Sequence, residues 1–467
     1  MALRTVEEQL ERILLLAKPL PPEHVPLHDA HGRILAEPIS ARDDMPGFDN
    51  SAVDGFAVRS ADVANATRES PVTLEVVADI PAGSGLDPEL APGQAARIMT
   101  GSAVPTAADA VVPIEHTLEY ERGDVWRATS LDEAHGGGRN AVVTVTIVGS
   151  ADAGDNVRSR GSDLRAGELV LDVGSLGFGR PLTPAAVAAA AGAGHASLLV
   201  HARPRVAVVS TGSELVEASG FPERGQIRES NSHLLRGLAL TAGAEVVRVA
   251  TVRDDEAALR AEIESAREAG ANVIVLSGGV SVGAYDVVRA VLEGVGSIEM
   301  AAVAMQPGKP QAFGELEDGT LVFGLPGNPV SVAVSFEVFV RPALRALAGL
   351  DAAVSGPRPT AVVTTPWRTP PHRRQYMPVV FDAAGAIEPV PAHFAGDGQA
   401  LPSGDVGAAP TDSAPSAPGE LRIRPASKGG SKSHLVGGLA AAQAFAIVPA
   451  DVAEVRAGDV LEIMLAP

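Results

Sequence analysis

Cysteine is absent from all 467 residues. The chain therefore has no disulfide framework, no thiolate metal site and no cysteine nucleophile, and any transition metal must be held by something else. An apolar run of about 20 residues, the length a membrane helix needs, is also missing. The longest candidate, around Ala185 to Ala191, is alanine-rich and too short. Met1-Ala2-Leu3-Arg4-Thr5 leads into an acidic, periodic segment without the basic flank, apolar stretch and small-residue cleavage site of a secretory signal. A cytoplasmic protein with no membrane partner is expected. Positive charge is scarce: 37 Lys and Arg against 57 Asp and Glu leave a net charge of -20. Such a surface repels polyanions, which argues against a nucleic-acid binder but leaves room for a local basic pocket for a small anion.

The length exceeds one ordinary hydrophobic core and suggests about three domains. Thr5 and Glu8 have capping-box spacing, and Leu10, Ile13, Leu14 and Ala17 recur at helical period until Pro19, so the chain opens with an amphipathic helix. From about Pro38 to Val173 short alternating stretches such as Val72 to Val77 and Val142 to Ile147 indicate mostly β structure. From Arg205 buried-strand runs alternate with helices: strands over 206–209, 246–250, 272–276 and 321–323, helices over 232–242, 256–269, 287–292 and 330–347. That alternation indicates a doubly wound parallel sheet covered on both faces. After the Pro-rich hinge Gly356-Pro357-Arg358-Pro359 the strands return, ending with Val460 to Leu465. Gly396 to Gly419 has no apolar periodicity and is expected to be a mobile surface loop. The fold class is therefore multi-domain α/β plus β, with mostly-β N-terminal units and a small C-terminal β unit. The expected division is 1–38 with 146–200, then 39–145, 201–350 and 356–467.

In a doubly wound sheet ligands bind outside the carboxyl ends of the strands. Four exits here carry unusual residues: Ser210-Thr211-Gly212-Ser213-Glu214, Arg253-Asp254-Asp255, Ser277-Gly278-Gly279-Val280-Ser281-Val282-Gly283 with Asp286, and Gly324-Leu325-Pro326-Gly327-Asn328-Pro329. The Ser-Gly-Gly turn lets backbone N-H groups approach an anion, aided by the Ser277 and Ser281 hydroxyls, although a Gly-rich turn also serves chain geometry alone. Glu214, Asp255 and Asp286 would converge on that edge, and carboxylates beside a phosphate need a hard cation such as Mg²⁺ to offset their repulsion. Asp254 and Asp255 could equally cap the following helix. Lys309, between Pro307 and Pro310, suits a fixed cation facing an anion, or an ordinary solvated turn. Asn328 suits a helix N-cap and Pro329 its first turn, where exposed N-H groups can receive a second anion.

Taken together, the 210–215, 277–283, 307–310 and 325–329 motifs resemble the molybdopterin molybdenumtransferase family, of the MoeA and gephyrin E-domain type. Asn50-Ser51-Ala52-Val53-Asp54-Gly55-Phe56-Ala57, Met99-Thr100-Gly101, Asn156 to Asp163 and Gly430-Ser431-Lys432-Ser433-His434 extend the resemblance over nearly the whole chain. It implies a homodimer of four-domain subunits that takes adenylylated molybdopterin and molybdate and leaves molybdenum on the pterin dithiolene with release of AMP. The dithiolene supplies the sulfurs, so a cysteine-free chain is no obstacle. By the same resemblance Glu214, Asp255, Asp286, Lys309 and Asp54 are the catalytic candidates, with Glu214 and Asp286 handling Mg²⁺. Thr100, Thr211, Gly212, Ser213, Ser277, Gly278, Gly279, Ser281, Pro326, Gly327, Asn328 and Pro329 would bind the cofactor. Asp54 and Thr100 would reach the cleft from the amino-terminal region of the partner subunit. A molybdopterin adenylyltransferase and apo-molybdoenzymes are the expected protein partners. The chain departs from the pattern with Gln306 and Ala302 where some members carry lysines, and with Glu229 where an aspartate is frequent.

Two other readings compete. An adenylyltransferase would share the Ser-Gly-Gly unit but not the added β units or the Asn50 to Ala57 stretch. A non-catalytic gephyrin-like scaffold would not need Glu214, Asp255, Asp286 and Lys309. His24, His28 and His31 have tempting spacing, but Pro22 and Pro26 interrupt any helix that would align them as metal ligands. His434 could contact an anion or simply face solvent. Gly136-Gly137-Gly138 lacks the strand-to-helix setting of a dinucleotide fingerprint.

Overall fold

The computed structural model describes residues 3–122, 143–173, 181–280, 287–293, 295–350, 358–382, 421–428 and 431–466. Ser281, Asp286, Gly136 to Gly138 and the 396–419 segment lie outside them.

The opening helix, α1 (Val6–Leu16), begins with the expected reciprocal cap: Glu8 N-H donates to Thr5 Oγ1 at 3.1 Å and Thr5 N-H to Glu8 Oε2 at 2.8 Å. Its apolar face does not stay with the strands that follow it in sequence. Val6, Ile13 and Ala17 join the core formed by Val206, Phe323, Phe336 and Leu344 of the α/β sheet. Ion pairs from Arg4 to Glu299 and from Glu7 to Arg374 tie the helix start to the sheet edge and to the C-terminal unit.

The β region contains a five-stranded sheet whose strands lie in the order Ala110–Pro113, Gly55–Val58, Gln94–Ile98, Val72–Ile80, Thr144–Ile147. It buries Phe56, Leu74 and Val112 in one cluster and Ile80, Ile98 and Val111 in another. Beside it an antiparallel ribbon, Pro22–Pro26 with Ser197–His201, packs near the alanine-rich helix Pro184–Gly192. Thr183 caps that helix and Pro184 occupies its first turn, so the alanine run is a nine-residue surface-docked helix. Among the described residues no helix is long and apolar enough to cross a membrane.

The central sheet holds β1 (Arg205–Thr211), β2 (Glu245–Val252), β3 (Val273–Ser277), β4 (Glu299–Ala302), β5 (Pro310–Glu315) and β6 (Leu321–Leu325), in the order β2-β1-β3-β6-β5-β4. The first four are parallel; β1, β3 and β6 are the continuous buried runs that predict this, whereas β2, at the edge, is mostly half-buried or exposed. Strands β5 and β4 form an antiparallel hairpin at one edge, two strands that the sequence reading did not include. Helices α2 (Asn231–Thr241), α3 (Glu256–Glu268) and α4 (Val287–Leu292) cover the two faces.

The helix expected over 330–347 is present without interruption, as α5 (Pro329–Ser335), a wider π-type turn over Phe336–Val340 and α6 (Arg341–Leu347). Pro342 has no N-H to give to the carbonyl four residues back, and Arg341 N-H bonds instead to Phe336 O, one residue further than in an α-helix.

The C-terminal strands close on themselves. Arg374–Phe381, Arg422–Pro425, Thr360–Val363, Val460–Leu465 and Ala444–Val448 pair in turn, and the last returns to the first. Closure removes the exposed edges of so small a sheet. One short strand, Met305–Gln306, leaves the α/β unit to pair with Arg374 and Gln375 of this barrel, which stitches the two together.

Ile13 is 1% exposed and sits where α1 meets the sheet. Ile13→Ala is expected to cost about 2–5 kcal/mol in urea unfolding followed by circular dichroism. A loss below about 1 kcal/mol would show that α1 is not docked as described.

Candidate active site at the strand exits

The parallel register sets Ser210 level with Ser277, and Ser277 level with Leu325, so β1, β3 and β6 end side by side. At one point their loops pack closer than a side chain permits: a Cβ on Gly278 would lie 2.5 Å from the Thr211 carbonyl oxygen, while one on Gly327 would reach Gly278 Cα at ordinary contact distance, 3.4 Å. Gly278 and Gly279 also have φ of 101° and 64°, which L side chains rarely adopt.

Beneath the loops lies a buried polar cluster. Ser210 Oγ donates to Glu229 Oε1 at 2.9 Å and stands 3.1 Å from Ser277 Oγ, while Ser232 N-H donates to the same Glu229 oxygen at 2.8 Å. Glu229 is 7% exposed, and its carboxylate is satisfied by these donors. The longer side chain where an aspartate is frequent thus serves to span β1 and the start of α2.

Two cavities open at these strand ends. The larger, about 670 Å³, is lined by Thr211, Gly212, Glu214, Ser277, Gly278, Gly279, Gly327, Asn328 and Pro329 of the expected residues. Arg228, Glu229, Asn231, Asp254 and His434 complete its polar wall. The smaller, about 280 Å³, is lined by Gly279, Lys309, Pro326, Gly327 and Asn328, joined by Gln306, Ser331, Arg373, Ser431 and Ser433. Gly279, Gly327 and Asn328 border both cavities.

The acids divide. Glu214 and Asp254 face the larger cavity, whereas Asp255 spends its carboxylate capping α3, where Oδ1 accepts from Ala258 N-H at 2.8 Å. Ser213 does not line either cavity; its N-H donates to Asp254 Oδ2 at 2.9 Å and its hydroxyl accepts from Asp254 N-H at 3.1 Å, which fixes the neighbouring loop. Asn328 sits at the N-cap of α5, but its side chain makes no capping bond there and borders the cavities instead. The Val330 N-H, one expected anion donor, is already given to the Ser433 carbonyl at 3.0 Å. Among the described residues no group of three or more His, Asp or Glu could hold a metal. Glu214 and Asp254 nevertheless suit Mg²⁺, which is commonly bound by one or two carboxylates together with substrate phosphates.

The turn carrying Lys309 is fixed from behind. Gln311 Nε2 donates to Gly308 O at 2.6 Å and to Ser335 Oγ at 2.7 Å, and all three residues are buried. The Lys309 ammonium itself has no ion-pair partner among the described residues, so its charge is available to the cavity.

Comparison with known proteins agrees with this layout. Residues 4–194 match the MoeA N-terminal region (domain I and II), and residues 207–346 match a probable molybdopterin binding domain. The chain belongs to the MoeA family. Molybdopterin molybdenumtransferase 2 of Mycobacterium tuberculosis (strain ATCC 25618 / H37Rv) is 40% identical over 392 residues, 82% of this chain and 90% of that protein. Molybdopterin molybdenumtransferase 1 of the same strain is 33% identical over 479 residues, 99% of this chain and 98% of that one. The crystal structure of the molybdopterin biosynthesis MoeA protein from Pyrococcus horikosii superposes with a TM-score of 0.72 at 28% identity, covering 99% of each chain.

Within this MoeA family member Asp54 and Thr100 meet each other but line neither cavity. Thr100 N-H and Thr100 Oγ1 both donate to Asp54 Oδ1 at 2.7 Å. Those hydrogen bonds, the backbone one first, hold the Asp54 carboxyl below its ordinary pKa. Arg373 was the residue least visible beforehand: it follows a Pro-rich stretch and precedes a strand, with no spacing to mark it. Gln306 was noticed only as a missing lysine.

Because the Asp54 pKa is depressed on folding, its contribution to stability is present above the unfolded-state value and is lost as pH falls through the folded-state value. Thr100→Val removes the hydroxyl donor while keeping the backbone one. A rise of the Asp54 pKa toward the ordinary aspartate range is expected in a carboxyl NMR titration; an unchanged pKa would contradict the pairing.

Proposed function

We propose that the chain inserts molybdate-derived molybdenum into the dithiolene of adenylylated molybdopterin and releases AMP, in a Mg²⁺-dependent reaction of molybdenum cofactor biosynthesis. The observation that carries this is the pair of adjoining cavities at the strand exits, one large with amides and carboxylates, one small with cations. A pterin nucleotide is elongated and multiply charged, whereas molybdate is a compact tetrahedral oxyanion. The volumes and linings match the two in that order.

In this reading the Ser277-Gly278-Gly279 turn receives the pterin phosphate region at the Gly279 N-H, with no side chain in the way, while the Gly278 N-H is already given to the Leu325 carbonyl at 3.0 Å and holds the turn in place. Glu214 and Asp286 would hold Mg²⁺, which supplies charge compensation for the diphosphate bridge when bound. Asp254, on the same wall and fixed by Ser213, is a further carboxylate within that group. Asp255 supports the site from behind by starting α3. Lys309 and Arg373 hold the oxyanion in the small cavity. Asn328 and Gly327, shared by both cavities, set the pterin end beside that oxyanion. Cleavage of a phosphoanhydride is mainly a matter of positioning and charge stabilisation, which is the kind of chemistry these groups provide.

The proposal extends to assembly. Asp54 and Thr100 line neither of these two cavities of their own subunit, which supports a homodimer in which the partner subunit delivers such a pair to each cleft. The four-unit division given from the sequence and a cytoplasmic location belong to the same reading. So do an adenylyltransferase upstream and apo-molybdoenzymes downstream.

Purified protein supplied with adenylylated molybdopterin, Mg²⁺ and molybdate is expected to yield stoichiometric AMP and metal-loaded pterin. Glu214→Gln should slow molybdate-dependent AMP release by roughly a hundredfold, the scale on which loss of one charge-stabilising group acts. Folded wild-type protein that releases neither product would end the proposal.

A further inference from the structure

One polar chain in the wall of the small cavity has no part in the assignments above. Trp367 Nε1 donates to Gln375 Oε1 at 3.0 Å, and Gln375 Nε2 donates to the Ser431 hydroxyl oxygen at 2.8 Å. Its polarity is fixed at the start, because an indole N-H is a donor only. Gln375 must turn its carbonyl to Trp367 and its amino group to Ser431. Gln375 is 2% exposed and Ser431 8%, so solvent does not compete for these bonds. Ser431 Oγ is thereby engaged as an acceptor, and among the described residues its own hydrogen has no acceptor. That residue borders the cavity, so the hydrogen is available to a ligand there. On the same wall Arg373 Nη1 donates to Gln306 Oε1 at 3.1 Å, which keeps the guanidinium beside the cavity.

We infer that Gln375, oriented by Trp367, is a positioning residue that presents the Ser431 hydroxyl to the small cavity as a hydrogen-bond donor, matching it to a fully deprotonated oxyanion. The inference rests on the reading of that cavity as the molybdate site. Neither Gln375 nor Trp367 lines the cavity, so both act through Ser431. A carboxylate at position 375 would accept from Trp367 and also from Ser431, drawing the serine hydrogen away from the ligand.

The test uses full-length protein and molybdate alone, titrated calorimetrically into wild type, Gln375→Glu, Ser431→Ala and the double variant. Each single variant is expected to bind molybdate about tenfold to a hundredfold more weakly, the value of one hydrogen bond to a charged group. In the Ser431→Ala background Gln375→Glu should add no more than about threefold, because the group it acts through is gone. In turnover, Gln375→Glu should raise the KM for molybdate and leave kcat unchanged. Trp367→Phe serves as a second variant where Gln375→Glu does not fold; it frees the amide to flip and should weaken molybdate binding in the same direction. Wild-type affinity in Gln375→Glu, or losses that simply multiply in the double variant, would overturn the inference and leave the cavity assignment standing. If wild type binds no molybdate, or binds it equally after Lys309→Ala and Ser431→Ala, the cavity assignment fails and the inference with it.

Discussion

Everything at the site depends on how closely three strand exits approach one another. Parallel pairing levels β1, β3 and β6, but level ends alone would leave their loops separated by side chains. Gly278 against the Thr211 carbonyl removes that separation, and Gly327 lies in ordinary contact with Gly278. The loop backbone is thereby brought to a common rim without intervening side chains; the Gly212 and Gly278 N-H groups are spent on the Val252 and Leu325 carbonyls, which leaves the Gly279 amide to meet a phosphate there. The buried serines behind the rim, tied to Glu229, keep β1, β3 and the start of α2 in fixed relation. The rim is a property of backbone packing first and of functional groups second.

Charge is then sorted between the two cavities. The chain carries a net charge of -20, so attraction for an anion has to be local. The small cavity achieves it with Lys309 and Arg373, and no carboxylate is among its described lining residues. The large cavity gathers Glu214, Glu229 and Asp254 with one arginine, Arg228, which suits a ligand that arrives with a compensating cation. Two anions placed side by side repel, and this division allows each to be held by different means. Asn328, neutral and relieved of capping, stands where the two environments meet.

Much of this was legible beforehand because glycine, proline and acidic residues at strand exits have local causes. The capping box of α1, the buried runs of β1, β3 and β6, and the two glycines of the Ser-Gly-Gly turn follow from nearest-neighbour chemistry. Less was legible where function and structure use one residue type alike. Asp254 and Asp255 are adjacent acids before a helix, and sequence cannot say which one caps; in the fold Asp255 caps and Asp254 turns to the cavity. The edge hairpin of β4 and β5 was missed altogether: β4 is a four-residue edge strand with no buried residue, and Pro307 and Gly308 break up the stretch between it and β5. The wide turn inside the last helix follows from Pro342, while the apolar period runs straight through it as the continuous helix does.

The small cavity was the least legible part, and the reason is topological. Its wall combines a turn of the α/β unit with residues of the closed barrel, brought together by the short Met305–Gln306 strand that pairs with Arg374 and Gln375. A two-residue strand has no periodicity to detect. Its consequence is nonetheless large: that pairing places Gln306 beside Arg373, and Gln375, held at its other end by Trp367, beneath Ser431. Barrel closure fixes Gln375, a separate two-stranded pairing with Glu454 and Val455 fixes Trp367, and the stitch fixes the barrel against Lys309. A donor group at the cavity is therefore only as well placed as the barrel is well docked. Substitutions buried in that seam would disturb the small cavity before they altered the large one, whose walls come mainly from the α/β unit.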